Sequence, residues 1–171
     1  VVDGEHADMG RRLLDSCPYL EHLIFADDSV SPDGLLDYDQ LLEEAVSAPD
    51  ANRGGDDLAA LFYTGGTTGR AKGVMLSHQN LYVNAMSANT YYELSPTTRF
   101  LMAPPIFHVA CGSRVYSATM AGAHMVMLRN FTPADALETI ERERITDGLF
   151  VPTMLNMIIN HPRFAEYDLT T

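Results

Sequence analysis

Apolar positions fall into two alternating rhythms along the chain. Met9, Leu13 and Leu14 recur at helical spacing over residues 7–15, and Cys17-Pro18 stops that helix because the residue before proline is driven out of the α region. Val1-Val2 before it reads as the end of a strand, and His22–Ala26 is an apolar run of strand length. A turn-forming Asp/Ser/Pro/Gly stretch follows from Asp27 to Gly34, after which Leu41, Leu42, Ala45 and Val46 make the next helix amphipathic. Residues 47–57, rich in Ala, Pro, Asp, Asn and Gly, have the composition of an exposed connector and predict a boundary between two lobes.

Beyond the connector the periodicity is clearer. Leu58–Tyr63 is a continuous apolar run, and Val74-Met75-Leu76 is a second one that ends at Ser77, a good helix N-cap. The helix from Ser77 to about Tyr92 presents Leu81, Ala85, Ala88 and Tyr92 to a core. Strands are predicted at Arg99–Ala103, His124–Leu128 and Gly148–Val151, and helices at Gly112–Ala121, from Thr132-Pro133-Ala134-Asp135 onward, and at Pro152–Ile159. The Thr132 segment supplies a cap, a proline in the first turn and an acid at the third helical position. Strands alternating with helices predict an α/β fold, a mainly parallel sheet flanked by helices on both faces, because consecutive parallel strands need such crossovers.

Charge narrows the partners. The net charge is −12, and the excess lies in residues 1–60, with 15 acids and 3 bases, while residues 61–171 hold 8 of each. Nucleic acid is excluded as a partner because no basic stripe exists to replace phosphate counterions. The acidic third reads as a solvated face. Cys17 and Cys111 lie far apart and are expected to be free buried thiols in a reducing, cytoplasmic setting. His6, His22, His78, His124 and His161 show no ligand spacing, so no metal is assigned to them, and no apolar run approaches the roughly 20 residues that cross a bilayer. The chain is expected to be a piece of a longer polypeptide.

The segment between the first two apolar runs carries candidate chemistry. Tyr63–Gly73 reads Tyr-Thr-Gly-Gly-Thr-Thr-Gly-Arg-Ala-Lys-Gly, with Gly65, Gly66, Gly69 and Gly73, the hydroxyls of Thr64, Thr67 and Thr68, and the cations Arg70 and Lys72. Glycines let amide N–H groups approach an anion, threonines add donors, and a lysine adds a mobile point charge suited to terminal phosphates. A tight hairpin needs only two such residues. The Walker spacing fails, since Arg70-Ala71 separates Gly69 from Lys72, and no Gly-x-Gly-x-x-Gly is present. The loop joins two strands rather than leading from a strand straight into a helix.

Leu61–His78 closely resembles the signature of the adenylate-forming, AMP-binding superfamily, which includes acyl-CoA synthetases, peptide-synthetase adenylation domains and beetle luciferases. This chain has Gly65 where the pattern usually has Ser, and Ala71 where it has Pro. Pro104-Pro105-Ile106-Phe107-His108-Val109-Ala110-Cys111-Gly112 resembles the superfamily's Pro-x-Phe-His-x-x-Gly segment, about 30 residues on. The resemblance implies the large N-terminal domain of an ATP-dependent ligase, most like a fatty acyl-CoA synthetase. A carboxylate attacks the α-phosphate of ATP to give acyl-AMP and pyrophosphate, and coenzyme A then displaces AMP. It further implies that Thr64, Gly65, Gly66, Thr67, Thr68, Gly69 and Lys72 hold the ATP phosphates, with Mg2+ sharing the charge. Phe107, His108 and Gly112 border the acid, and the helix that follows lines the acyl pocket.

Met102, Met120, Met125 and Met127 are candidates for that pocket, though most are assigned to the core. The superfamily's Tyr-Gly-x-Thr-Glu segment, its ribose-binding Asp and the lysine of its small C-terminal domain have no counterparts in these 171 residues. The residues thus imply a partial N-terminal domain, expected to be inactive in isolation. An amino-acid adenylation domain and a non-catalytic binding or interaction module stay open as alternatives, and a P-loop hydrolase is disfavoured by the failed Walker spacing.

Overall fold

The computed structural model describes residues 1–65 and 69–170. The chain divides between Ala51 and Asn52, inside the 47–57 stretch. In the first unit, α1 (Ala7–Ser16) precedes a parallel pair, β1 (Ile24–Phe25) and β2 (Leu36–Asp37), and Val2 bridges to Phe25. A Cβ on Gly10 would stand 2.9 Å from the side chains of both Leu23 and Val2, so the absence of a side chain is what lets α1 approach. The buried positions of α1 are therefore Ala7 and Gly10, while Met9 and Leu13 stay half-exposed.

Helix α2 (Tyr38–Glu44) starts where the Asp37 carboxylate accepts from Gln40 N at 2.9 Å. None of its residues is buried, and Ala45 is already extended. The expected apolar stripe thus breaks before Ala45 and Val46, and Leu41, Leu42 and Val46 all stay exposed.

In the second unit, β3 (Leu58–Thr64) and β4 (Lys72–Ser77) form an antiparallel hairpin in register from Leu61↔Met75 to Thr64↔Lys72. Helix α3 (His78–Tyr92) follows at once through a capping box: Ser77 Oγ accepts from Asn80 N at 3.2 Å, and Asn80 Oδ1 accepts from Ser77 N at 3.1 Å. Leu81, Ala85 and Ala88 are buried as expected. Tyr92 is not: it is 47 % exposed, and the Arg114 guanidinium lies 4.4 Å from its ring centre. The helix ends there, at a left-handed Glu93.

The remaining elements are β5 (Arg99–Met102), α4 (Val109–Ala121), β6 (His124–Met127), α5 (Pro133–Glu143), β7 (Asp147–Leu149) and α6 (Pro152–Ile159), closed by a 3-10 turn over Phe164–Glu166. The three strands are parallel in the order β6–β5–β7. The chain leaves central β5 for one neighbour and crosses back to the other, so right-handed crossovers put α4 and α5 on opposite faces. Burial agrees. Phe100 and Met102 pack with Cys111 and Ala118 of α4, while Leu101 between them is fully buried on the other face. A second cluster joins Ala136 and Leu137 of α5 to Ile158 of α6, with Phe131 and Phe150 at its margin.

Several boundaries differ from their sequence expectation: β1 keeps only Ile24–Phe25 of the run from His22 to Ala26, β4 already starts at Lys72, and β5 and β6 each end one residue early. Helix α4 begins at Val109 because His108 caps it, and β7 ends at Leu149 because Phe150 turns into the second cluster. Among the described residues no helix is long and apolar enough to cross a membrane, and no group of three His, Cys, Asp or Glu could hold a metal ion.

Candidate functional site

The glycine segment closes the β3–β4 hairpin. Thr64 and Lys72 face each other as its last register pair, and Thr64 Oγ1 donates to the Lys72 carbonyl at 3.5 Å. Gly69 has φ +85°, a conformation that glycine adopts without strain, and among the described residues nothing lies within 4 Å of where a Cβ on Gly65 would stand. Gly66, Thr67 and Thr68 lie outside the described residues. Lys72 is exposed, and it is the chain's only lysine, since the other ten Lys or Arg positions are all arginine.

The second motif fills the turn from β5 into α4, at the carboxyl ends of the parallel strands, where open α/β sheets place their ligands. His108 N donates to the Pro105 carbonyl at 3.2 Å, and the His108 carbonyl accepts from Gly112 N at 2.8 Å. His108 Nδ1 accepts from Ala110 N at 3.2 Å, so the imidazole caps α4. A backbone N–H can only donate to an unprotonated nitrogen, which fixes the neutral tautomer: the ring proton sits on Nε2. Phe107 beside it is 82 % exposed. Sequence reasoning missed this cap because histidine is not among the common N-cap residues.

Gly112 is buried, and what buries it links the two motifs. A Cβ there would stand 2.6 Å from the Ile106 carbonyl oxygen and 2.9 Å from two ring carbons of Phe62. Phe62 belongs to β3, two residues before Thr64. The strand that enters the glycine loop therefore packs on the first turn of the helix that His108 caps. A continuous apolar run over Leu58–Tyr63 gives no sign of which residue Phe62 packs against.

Two clefts flank the Phe107–His108 turn. One, of about 430 Å3, lies at the ends of β5 and β6 against Pro104, Pro105, Ile106, Phe107 and Met127. The other, of about 310 Å3, lies between α3 and the start of α4 and presents Asn80, Asn84 and Ser113 beside Val109 and Ala110. A third cleft, of about 680 Å3 between α3 and α4, takes in His78, at the tail of the first motif, and Met120. Of the four candidate methionines, Met102 and Met125 pack in the core, Met120 and Met127 line clefts, and Met102 also borders the one at Phe107.

His78 N donates to the Asp57 carbonyl at 3.1 Å and its residue begins α3, a structural placement. Cys111 is a free, fully buried thiol, and burial raises its pKa, with a small opposing effect from the Arg114 charge. Cys17 is free but only partly buried.

Known proteins match both the sequence and this architecture. A feruloyl-CoA synthase from Amycolatopsis sp is 40% identical over 124 residues, 72% of this chain and 25% of the relative. The long-chain-fatty-acid–CoA ligase FadD13 of Mycobacterium tuberculosis is 33% identical over 141 residues, 82% of this chain and 28% of the relative. The inhibitor-bound N-terminal domain of FACL13 from Mycobacterium tuberculosis superposes with a TM-score of 0.75 at 28% identity, covering 95% of this chain and 45% of that one. The chain thus spans about a quarter of the length of these curated relatives. Residues 4–171 match the AMP-binding enzyme family, and with both of its ordered motifs in place the chain belongs to that adenylate-forming family.

Proposed function

We propose that these residues form the phosphate-binding and acid-positioning part of an ATP-dependent acyl-CoA ligase whose acid is a fatty acid. The acid's carboxylate oxygen attacks the ATP α-phosphorus and pyrophosphate leaves. The sulfur of coenzyme A then attacks the acyl carbonyl, and AMP departs. The observation that carries the reading is the packing of Phe62 on Gly112, which holds the glycine hairpin and the His108 turn to one another. Family membership and the apolar cleft walls at Ile106, Phe107 and Met127 support an acid with an apolar body.

In this reading the amides of Gly65, Gly66 and Gly69, the hydroxyls of Thr64, Thr67 and Thr68, and the Lys72 ammonium neutralise the charge that collects on the departing pyrophosphate. His108 Nε2–H donates to the acid's carboxylate, and the exposed Phe107 ring covers the acyl group. Between Asp57 and Glu93 the chain has no Asp or Glu, so the hairpin itself fits phosphate oxygens and not a metal. Mg2+ would reach this site on the triphosphate, and no step here is assigned to it.

The test is Lys72→Ala in the full-length polypeptide that carries these residues. The adenylation rate, followed by ATP–pyrophosphate exchange with fatty acids, should fall by at least about tenfold, while transfer from preformed acyl-AMP to coenzyme A should change far less. Equal losses in both half-reactions would remove the assigned role.

A further inference from the structure

Lys72 carries an amine, and the register of the hairpin sets where that amine stands. Ala60 pairs with Leu76, Phe62 with Val74 and Thr64 with Lys72. Directly opposed residues of an antiparallel pair share a face, and so do residues two apart on one strand. Phe62 meets Gly112 on that face, and Leu76 lines the cleft of about 310 Å3 together with Val109 and Ala110. Lys72 therefore stands on the face of the hairpin that packs on the first turn of α4. It is two residues beyond Val74, about 7 Å along a strand.

The other nucleophiles at this junction are ill placed. Cys111 is fully buried, and burial raises its thiol pKa. The Thr64 hydroxyl donates back to the Lys72 carbonyl at 3.5 Å, and a hydroxyl without an adjacent base attacks poorly. Lys72 is exposed, its ammonium makes no ion pair among the described residues, and its flexible four-carbon stem lets the amine swing. With ATP bound, the phosphates hold that ammonium. Departure of pyrophosphate removes the counter-charge. Acyl-AMP still bonds the acid to the α-phosphate, so its acyl carbon stays between the His108 turn and the glycine loop, within the sweep of the freed side chain.

We propose that Lys72 is a self-acylation site: when coenzyme A is lacking, the acyl-AMP formed at this site transfers its acyl group to the Lys72 amine and silences further adenylation. The inference rests on the acyl-CoA ligase reading. The ammonium first gives a proton to water. The nitrogen lone pair attacks the acyl carbon, an amide C–N bond forms, and the C–O bond to the phosphate breaks. AMP leaves with that electron pair, and a second proton passes from nitrogen to water. ATP and the acid supply everything the step consumes. Acylation removes the lysine charge, so the loop loses the point charge that meets the next departing pyrophosphate.

The experiment uses the full-length wild-type polypeptide, with whichever of octanoate, dodecanoate and hexadecanoate best supports ATP–pyrophosphate exchange. It is incubated with ATP, Mg2+ and that acid, with and without coenzyme A, and the acyl amide on Lys72 is followed by peptide mass spectrometry. Without coenzyme A, Lys72 should be labelled about tenfold or more faster than in the urea-unfolded polypeptide given preformed acyl-AMP, since a nucleophile held beside its target outruns a free one. Excess glycinamide in solution should leave that label unchanged, coenzyme A should suppress it, and omission of ATP should abolish it. After removal of small molecules, exchange activity should have fallen in step with the label. A smaller rate ratio, a label that glycinamide competes away, or full exchange from a fully labelled polypeptide overturns the self-acylation site while leaving the ligase reading intact. Exchange with none of the three acids refutes the ligase reading and this inference with it.

Discussion

Gly112→Ala adds a single methyl group where Phe62 meets α4. An alanine inside a helix normally stabilises it by about 1 kcal/mol relative to glycine. Here the new Cβ would be placed 2.6 Å from the Ile106 carbonyl oxygen and 2.9 Å from Cε1 and Cζ of Phe62. Neither neighbour is the loose end of a flexible side chain: one is backbone and the other a ring. Overpacking of this kind costs about 1–3 kcal/mol, and the clash involves two neighbours, so the upper half of that range applies. After the gain in helix propensity, a net loss of about 1–2 kcal/mol remains.

For a chain of this size each kcal/mol moves the midpoint by about 2–4 °C, so Tm should fall by about 2–8 °C when followed by circular dichroism at 222 nm. Trimming the ring in the double variant Phe62→Leu/Gly112→Ala should recover part of the loss, because residues in contact do not add independently. Adenylation should suffer beyond the stability loss. Relief of the clash shifts the first turn of α4, and with it His108, away from β3, and a misplacement near 1 Å can cost about 100-fold in rate. A Gly112→Ala variant as stable as wild type, with unchanged exchange activity, would refute the claim that this close approach sets the site's geometry.

Three further outcomes test separate parts of the structure. Thr132→Ala removes the cap in which Thr132 Oγ1 accepts from Asp135 N at 3.1 Å and donates to the Asp135 carboxylate at 2.7 Å, and it should cost about 1 kcal/mol in urea unfolding. Under native conditions at pH 8 a disulfide reagent should titrate Cys17 rapidly and Cys111 only on unfolding; two thiols reacting at one rate would contradict the burial that raises the Cys111 pKa. Asp147→Asn should raise Tm at neutral pH. The folded-state carboxyl pKa lies above the unfolded one, so the native state holds this proton more tightly, and its contribution to stability declines as pH rises through that range. The advantage of asparagine should accordingly vanish on acidification below the carboxylate range, and an advantage independent of pH would point to another cause.

Local signals in the sequence survive in the structure where the chemistry is itself local. Ser77 and Thr132 cap their helices with the bonds their positions imply, and Pro133 opens α5. The alternation of strands and helices yields a parallel sheet, since crossovers leave few other solutions. Partnership across the chain was not legible. Helical spacing cannot distinguish Ala88, which is buried, from Tyr92, which lies at the helix end beneath Arg114. The stripe Leu41-Leu42-Ala45-Val46 has the right period but stays exposed, and the helix stops within it. At the site, both motifs could be found by residue type, whereas the Phe62–Gly112 contact needed coordinates.

That contact bears on why the two motifs belong together. Each performs a task by itself: a glycine hairpin can cradle phosphate, and a capped helix start can present an imidazole N–H. Adenylation demands more, because the attacking carboxylate must lie in line with the phosphorus and the departing pyrophosphate, and binding the two reactants at independently moving places would forfeit most of the gain from proximity. Here β3 enters the loop at Thr64 only two residues after Phe62, whose ring fills the place a side chain at 112 would take, and Gly112 in turn donates to the His108 carbonyl. Three consecutive short-range links therefore run from the glycine loop to the His108 turn, with no long flexible side chain among them. This close approach leaves room for nothing larger than glycine at 112. In full-length protein, Phe62→Ala should accordingly loosen the coupling and lower kcat more than it weakens binding of either ATP or the acid measured alone.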